Sequence, residues 1–479
     1  METLVYAANE GSREHDTLYH RLDDAHESIN GLLEERDQLK KEIEQLKLEL
    51  KLERQNKFAT NRQKKETAPE TRSATDTAKK RGAPVGHPGW FRRTPTEFDW
   101  LIVVPAPNRC PDCQGKVTLS ASLEADDHLQ EDIIDGMYRV VCYRHEAGCC
   151  DNCGASVSQP GDGEILGSRI GPRLRSTAIY LRNVIGISYR KVPQAIEEMF
   201  GIRFTPAALI GFERILAEKA EPVVEDIAKK LASTEGPVHA DETYSTLDGK
   251  RAYYWVHGDE KLIHFQFDTS RAGEVSRNIL GPYFTGTLVT DCYSGYFAHV
   301  AGAKQKCLTH LARRAHDWQK LTEEGSPDFI FFEDIKQFVK RGCRFHRLRR
   351  EGKLSKSKQA IEKAWLDERL QDLSQRDVTH EKAITLQARI LRHYSEWLVF
   401  VDDRRVPPTN NLAERALRPL VVLRKITFGH RSQGGGDRMA SIMTVAETAR
   451  RHGHRASEVF YKLFTRPPTH VLRRLYAGG

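Results

Sequence analysis

The sequence predicts a multidomain α+β chain, and three observations lead there. Residues 18–50 carry an apolar heptad stripe, two Cys-x-x-Cys pairs start at Cys110 and Cys150, and "PVHADETYSTLDGKRAYYWVHG" at 237–258 alternates apolar and polar residues around an Asp-Gly turn. At 479 residues the chain exceeds what one hydrophobic core organises, so three or more folding units are expected. The 74 Lys+Arg against 66 Asp+Glu give a net charge of +8, which matters less than where the basic residues fall. No apolar run approaches the ~20 residues of a membrane span, and no secretory leader pattern opens the chain. A cytoplasmic protein is expected, in which nine cysteines speak for metal rather than disulfides.

Leu18, Leu22, Ala25, Ile29, Leu32, Leu39, Ile43, Leu46 and Leu50 recur at steps of three and four, broken only at Arg36. With Ile29 and Ile43 at a positions and Leu32, Leu39 and Leu46 at d positions, residues 1–56 read as a parallel two-stranded coiled coil. Residues 57–100 lose the periodicity. Between 57 and 95 there are ten Lys/Arg against three acids, clustered at Lys64-Lys65, Lys79-Lys80-Arg81 and Arg92-Arg93, as in a basic linker that meets phosphates.

Residues 101–160 hold Cys110, Cys113, Cys150 and Cys153. Each Cys-x-x-Cys turn can present two thiolates to one tetrahedral Zn²⁺, which predicts a zinc-binding module. Cys142, His145 and Cys149 crowd the second pair and leave its ligand identities open, while an acidic stretch, "LEADDHLQEDIIDG", separates the pairs. Residues 161–232 read as helical, essentially throughout 168–230. A helix through Val192, Ala195, Ile196 and Met199, a turn at Gly201, and a second helix opened by Thr205-Pro206 resemble a helix-turn-helix.

In the stretch around 237–258, Asp241 and Glu242 end an apolar run on a strand, so Asp241 shares a face with Thr243 and Glu242 points outward on the other. "KLIHFQFDTS" reads as a third strand, "RAGEVSRNILG" as a helix, and "GTLVTDCYSGY" as a fourth strand ending in Asp291. Three antiparallel strands, a helix and a fourth strand form the opening of a ribonuclease-H-like fold, whose first and fourth strands are neighbours. Two adjacent carboxylates then call for a divalent cation. A third acid is available: Glu414 is the only one from Arg404 through Arg431, among seven Lys/Arg. Asn411 as N-cap with Glu414 as the third helical residue would be a capping box, a structural role for the same acid. The 122 residues between Asp291 and Glu414 exceed what the fold needs, and the charged helices in them suggest a helical insertion at about 320–400 within a catalytic domain of 233–440. A helical tail, 441–479, follows. In "CLTHLARR", Cys307 and His310 lie on one helical turn whose arginines face the site mouth, a pattern that suits DNA contact or packing better than zinc.

"HADET", "VTDCYSGY", "CLTHLARR" and "NNLAERALRPLVVLRK", in this order, resemble the transposases of the IS66 insertion-sequence family, of the DDE group. The resemblance covers nearly the whole chain, including the coiled coil, the "GHPG" segment at Gly86–Gly89, the zinc-binding region and a helical DNA-binding stretch. It implies Asp241, Asp291 and Glu414 as the ligands of two Mg²⁺ (or Mn²⁺), a structural Zn²⁺, and DNA contacts from Arg313, Arg314, Arg415, Arg418, Arg424 and Lys425. The implied partners are the terminal inverted repeats of the element, target DNA, further copies of the chain in a dimer or larger assembly, and accessory proteins of the same element, at the nucleoid. A catalytically inactive DNA-binding regulator derived from such an enzyme is the alternative. A 3′–5′ exonuclease of the same fold is disfavoured, because Thr243 stands where a second acid on the Asp241 face is needed.

The heptads predict assembly directly. Replacing Leu32 and Leu39 with Glu should convert the protein to monomers in light scattering; an unchanged mass would move the association elsewhere.

Overall fold

The computed structural model describes residues 92–119 and 126–477. The coiled coil expected over 1–56 and most of the linker over 57–100 lie outside the described residues. Strands β1 (Trp100–Val104), β2 (Val117–Leu119), β3 (Asp126–Ile134), β4 (Met137–His145), β5 (Gly148–Cys150) and β6 (Ser156–Val157) build two three-stranded sheets, ordered β1-β4-β3 and β2-β5-β6. The acidic stretch between the cysteine pairs becomes β3, and Asp135-Gly136, both at positive φ (51° and 77°), turn it back into β4.

Helices α1 (Pro172–Ile179), α2 (Lys191–Phe200) and α3 (Pro206–Ala232) follow, with a π turn at Tyr180–Val184 extending α1. The helical run expected over 168–230 is therefore interrupted. Gly186 and Gly201 take left-handed φ values of 89° and 69° that end each segment. Thr205 caps α3 by accepting from the Ala208 N–H at 3.2 Å, with Pro206 in the first turn. The second helix of the helix-turn-helix pattern is a long one of 27 residues. Its buried Leu209, Phe212, Leu216, Ala220, Val223, Ile227 and Leu231 share one core with Val238 and Ala240 of the next strand.

That strand, β7 (Pro237–Leu247), pairs antiparallel with β8 (Lys250–Gly258), which pairs with β9 (Ile263–Asp268). After α4 (Glu274–Leu280), β10 (Tyr283–Thr290) pairs parallel to β7, and β11 (Val300–Lys306) parallel to β10. The sheet order is β11-β10-β7-β8-β9, so the first and fourth strands are neighbours as expected. The chain then runs through α5 (Leu308–Gln319), α6 (Pro327–Arg350), α7 (Lys356–Gln375), α8 (Glu381–Arg392) and α9 (Val399–Asp402), which enclose Phe331, Phe332, Phe338, Leu366, Leu386 and Trp397. It returns in α10 (Asn411–Thr427), α11 (Gln433–Arg451), α12 (Ala456–Thr465) and α13 (Pro468–Tyr476).

Strand alternation gives the five-stranded sheet two apolar faces. Tyr254, Val256, Phe265 and Phe267 meet Ala413, Leu417, Leu420 and Met443 of α10 and α11, while Val238, Ala240, Trp255 and Leu288 join the core that α3 enters. Each such buried large side chain contributes about 1.5–3 kcal/mol. Among the described residues, no helix is long and apolar enough to cross a membrane.

One carboxylate joins the small sheets to the helices. Asp132 of β3 is 3% exposed and accepts from the backbone N–H groups of Leu174 (2.6 Å), Ile133 (2.9 Å) and Arg173 (3.1 Å), doing for α1 what a local cap does elsewhere. Gly171 leaves the necessary space, since a Cβ there would lie 2.4 Å from the Asp132 Cγ. Asp132→Ala should cost about 1–3 kcal/mol in urea unfolding, because the buried donors lose their acceptor.

Candidate active site and cysteine cluster

The last paired residues of β7 and β10 are His239 and Val289, so Asp241, within β7, and Asp291, one residue past the end of β10, each lie two residues beyond that pair. Strands so paired lie about 4.8 Å apart. The third acid arrives through Asn410, which is fully buried. Its Oδ1 lies 2.9 Å from His239 Nδ1, its Nδ2 donates to the Ala240 carbonyl at 2.8 Å, and its backbone N–H donates to Cys307 Sγ at 3.1 Å. The Leu308 N–H donates to the Pro408 carbonyl at 2.9 Å, so α5 and α10 both begin at this point beside β7.

These contacts exclude the capping box that offered Glu414 a purely structural role. Asn410, not Asn411, precedes the helix, its side chain makes no cap hydrogen bond, and Glu414 is the fourth helical residue. The Glu414 carboxylate faces α5 instead, with Oε1 3.7 Å from His310 Nδ1 and Oε2 4.0 Å from Arg313. Glu414 Oε1 and His310 Nδ1 are both buried, and neither has a hydrogen-bond partner among the described residues. Cys307, His310 and Glu414 lie within 4.8 Å of one another, a grouping the sequence could not show because Glu414 comes from a different helix. Burial holds the Cys307 thiol above its ordinary pKa, and its sulfur already accepts from Asn410, which makes it a packing group rather than a thiolate ligand.

The electrostatics of the acids are those of a site short of positive charge. Burial, followed by the charges of Glu242, Asp291 and Glu414, pushes the Asp241 carboxyl up to about 8. Among the described residues the three carboxylates form no set with all donor atoms within 4.8 Å of one another. Carboxylate oxygens, one of them unpartnered, are the donors that suit Mg²⁺ or Mn²⁺.

Glu242 departs from its expected outward position. Alternation does place it on the face opposite Asp241, but that face is covered too, and its side chain is only 3% exposed. It takes two hydrogen bonds from Arg271, at 2.8 and 3.1 Å, and one from the Tyr296 hydroxyl at 2.7 Å. Neither Arg271 nor Tyr296 carried a sequence signal for this role. Of the basic candidates, Arg313, Arg314, Arg415, Arg418 and Lys425 are exposed. Arg424 is half-buried and engaged within the chain, donating to the Tyr244 carbonyl with its guanidinium 5.4 Å from the Tyr244 ring centroid. Beside His239 and Asn411, a cavity of about 590 Å³ is lined by Arg349, Arg350, Arg404, Arg405 and Arg415.

In the small sheets, Cys110, Cys113, Cys150 and Cys153 form a four-thiol cluster, with Sγ–Sγ separations of 3.8 Å (Cys110–Cys153) and 3.4 Å (Cys113–Cys150). Ligands of a tetrahedral zinc–thiolate centre sit about 3.8 Å apart. The backbone N–H of Gly115, then the neighbouring thiols, pull Cys113 down to about 6. Cys142 is buried in β4 outside the cluster, Cys149 Sγ lies 3.5 Å from the Gly154 carbonyl, and His145 turns elsewhere, so the structure brings together only four of the seven crowded candidates.

The chain is similar to an uncharacterized protein of Sinorhizobium fredii (strain NBRC 101917 / NGR234), y4hP, at 23% identity over 434 residues, covering 80% of this chain and 76% of that one. A second uncharacterized protein of the same strain, y4qI, is 26% identical over 320 residues, covering 59% of this chain and 54% of its own length. The model of the family described as "Transposase IS66 family" matches residues 167–438, from the connector before α1 to the first turns of α11. That span takes in more than half of the chain together with all three acids and the strands and helices that carry them, and the chain belongs to the IS66 family of transposases.

Proposed function

We propose that this chain cleaves DNA strands at the ends of an insertion sequence and transfers them to target DNA, with Asp241, Asp291 and Glu414 holding the catalytic metals. The observation that carries this reading is that Asp241 of β7 and Asp291 just past the end of β10 each stand two residues beyond the same pair of these parallel strands, with Glu414 one turn along a helix docked on β7. The sheet order and the antiparallel-then-parallel pairing support a ribonuclease-H-like catalytic domain.

When bound, two Mg²⁺ or Mn²⁺ would supply Lewis-acid stabilisation of the scissile phosphate and its entering and leaving oxygens. The three carboxylates would hold them, and Asn410 fixes the helix that aims Glu414. Arg313 and Arg314 on α5, Arg415, Arg418 and Lys425 on α10, and the arginine-lined cavity offer donors to the phosphates of the terminal repeats and of target DNA. The Cys110–Cys113–Cys150–Cys153 cluster would hold a structural Zn²⁺. Association through 1–56 would bring two DNA ends together, with accessory proteins of the element as further partners.

The test is nicking of labelled element ends by purified protein in Mg²⁺. Asp241→Asn, Asp291→Asn and Glu414→Gln should each lower nicking more than about 100-fold while gel shifts show end binding retained. Normal nicking by Glu414→Gln would remove it from the metal set, and by Asp241→Asn would end the proposal. Glu242→Ala should act on the fold, costing about 1–3 kcal/mol, because the buried Tyr296 hydroxyl and Arg271 lose their acceptor.

A second prediction concerns pH. With Asp241 raised from 3.8 to about 8, its protonated form favours the fold, and that contribution is lost as pH rises from about 4 through about 8. Divalent metal favours the ionised form, so the rise in Tm on adding Mg²⁺ should grow from pH 6 to pH 8.5 and shrink in Asp241→Asn. A rise independent of pH would place metal binding away from Asp241.

A further inference from the structure

His145 lies between the cysteine pairs yet joins neither. It converges instead with His128 of β3 and with Glu164 of the connector between β6 and α1, and the three ligand atoms lie within 4.8 Å of one another. The Glu164 side chain is fully buried, and those of His145 and His128 are 7% and 19% exposed.

The outer atom of each group is fixed by backbone. His128 Nε2 lies 3.0 Å from the Ser168 carbonyl, His145 Nδ1 lies 3.1 Å from the Gln159 carbonyl, and the Gly161 N–H donates to Glu164 Oε2 at 2.7 Å. The inner atoms therefore meet: Glu164 Oε1 stands 2.5 Å from His128 Nδ1 and 2.9 Å from His145 Nε2.

The tautomers follow from the carbonyls. A carbonyl oxygen only accepts, so a neutral His128 that keeps its Ser168 bond carries its hydrogen on Nε2, and a neutral His145 that keeps its Gln159 bond carries it on Nδ1. Each neutral ring then aims a lone pair at the same carboxylate oxygen, which repels it. Protons alone relieve both contacts only by adding two to this buried set. One divalent cation satisfies both lone pairs and Oε1 together. A ring nitrogen that ligates while its other N–H donates to a backbone carbonyl is the recurrent outer-shell arrangement of metal-bound histidine.

We propose that His128, His145 and Glu164 form a second metal site, of His₂Glu type, for a borderline-soft divalent cation such as Zn²⁺, separate from the four-thiol cluster and from the three acids. Ligands of a tetrahedral zinc lie about 3.3 Å apart, so each Glu164–histidine separation has to open by less than about 1 Å. The partly exposed His128 side leaves a coordination position to water. The ion would pin β3, β4 and the 159–168 connector to one another, just ahead of α1. It uses no acid of the proposed catalytic set and stands or falls without it.

The test is elemental analysis of the full-length protein carrying Asp241→Asn, reconstituted with Zn²⁺ and freed of excess. About two zinc per chain are expected, falling to about one in Glu164→Gln and in His145→Asn, and to about one of the other kind in Cys113→Ser. X-ray absorption at the zinc edge should show a mixed sulfur and nitrogen/oxygen shell for the parent protein and an all-sulfur shell for Glu164→Gln. One zinc per chain in the parent, with an all-sulfur shell, would overturn the proposal whether or not the variants fold.

Discussion

The arrangement of the acids depends on one buried amide. Asn410 satisfies both sides of its carboxamide against β7, through His239 and the Ala240 carbonyl, and its backbone N–H against Cys307. The residue after Ala240 is Asp241, and one helical turn after Asn410 comes Glu414. The separation of two carboxylates is thus set by a residue that is neither of them. A buried amide whose partners are removed costs about 1–3 kcal/mol per orphaned group, which makes this docking an all-or-none feature.

The same geometry works against stability. Both faces of the five-stranded sheet are covered, so Asp241 and Glu242, on opposite faces, are both withdrawn from water, and burial raises the pKa of each. Glu242 recovers part of the cost through Arg271 and Tyr296. Among the described residues, Asp241 accepts only its neighbour's backbone N–H, at 2.9 Å. Two adjacent carboxyl groups in one strand are treated in opposite ways: Glu242 is met by a guanidinium and a hydroxyl, while burial pushes Asp241 up to about 8 with neither, which marks it as a site for chemistry.

Much of this was legible in the sequence, and what was not has a physical reason. The Asp248-Gly249 turn, the Thr205-Pro206 helix start and the two cysteine knuckles rest on local rules, and the structure follows them, whereas Asp241 sits inside an eleven-residue strand and Asp291 one residue past β10. Period-two alternation separated Asp241 from Glu242 but could not say what covers the second face, because Tyr296 lies 54 residues away. The pair Asn410-Asn411 offered two cap candidates, and the choice between docking and capping was made by His239, 171 residues upstream. His145 looked like a zinc ligand by proximity in sequence. Its side chain turns away because β4 alternates, toward a glutamate in a connector without periodicity.

The hydrogen bond from Leu308 to Pro408 joins the first residue of α5 to the segment just before α10, and Gln305 braces the base by contacts with Trp397 and Phe400. The five intervening helices are thus a closed excursion, leaving and re-entering the sheet at a single point. Closing a longer excursion adds entropy only as the logarithm of its length. The helical lobe can therefore grow, shrink or be exchanged without altering the gap between the strand and helix that carry Asp241 and Glu414, so that the size of the lobe and the geometry of the acids are free to change independently.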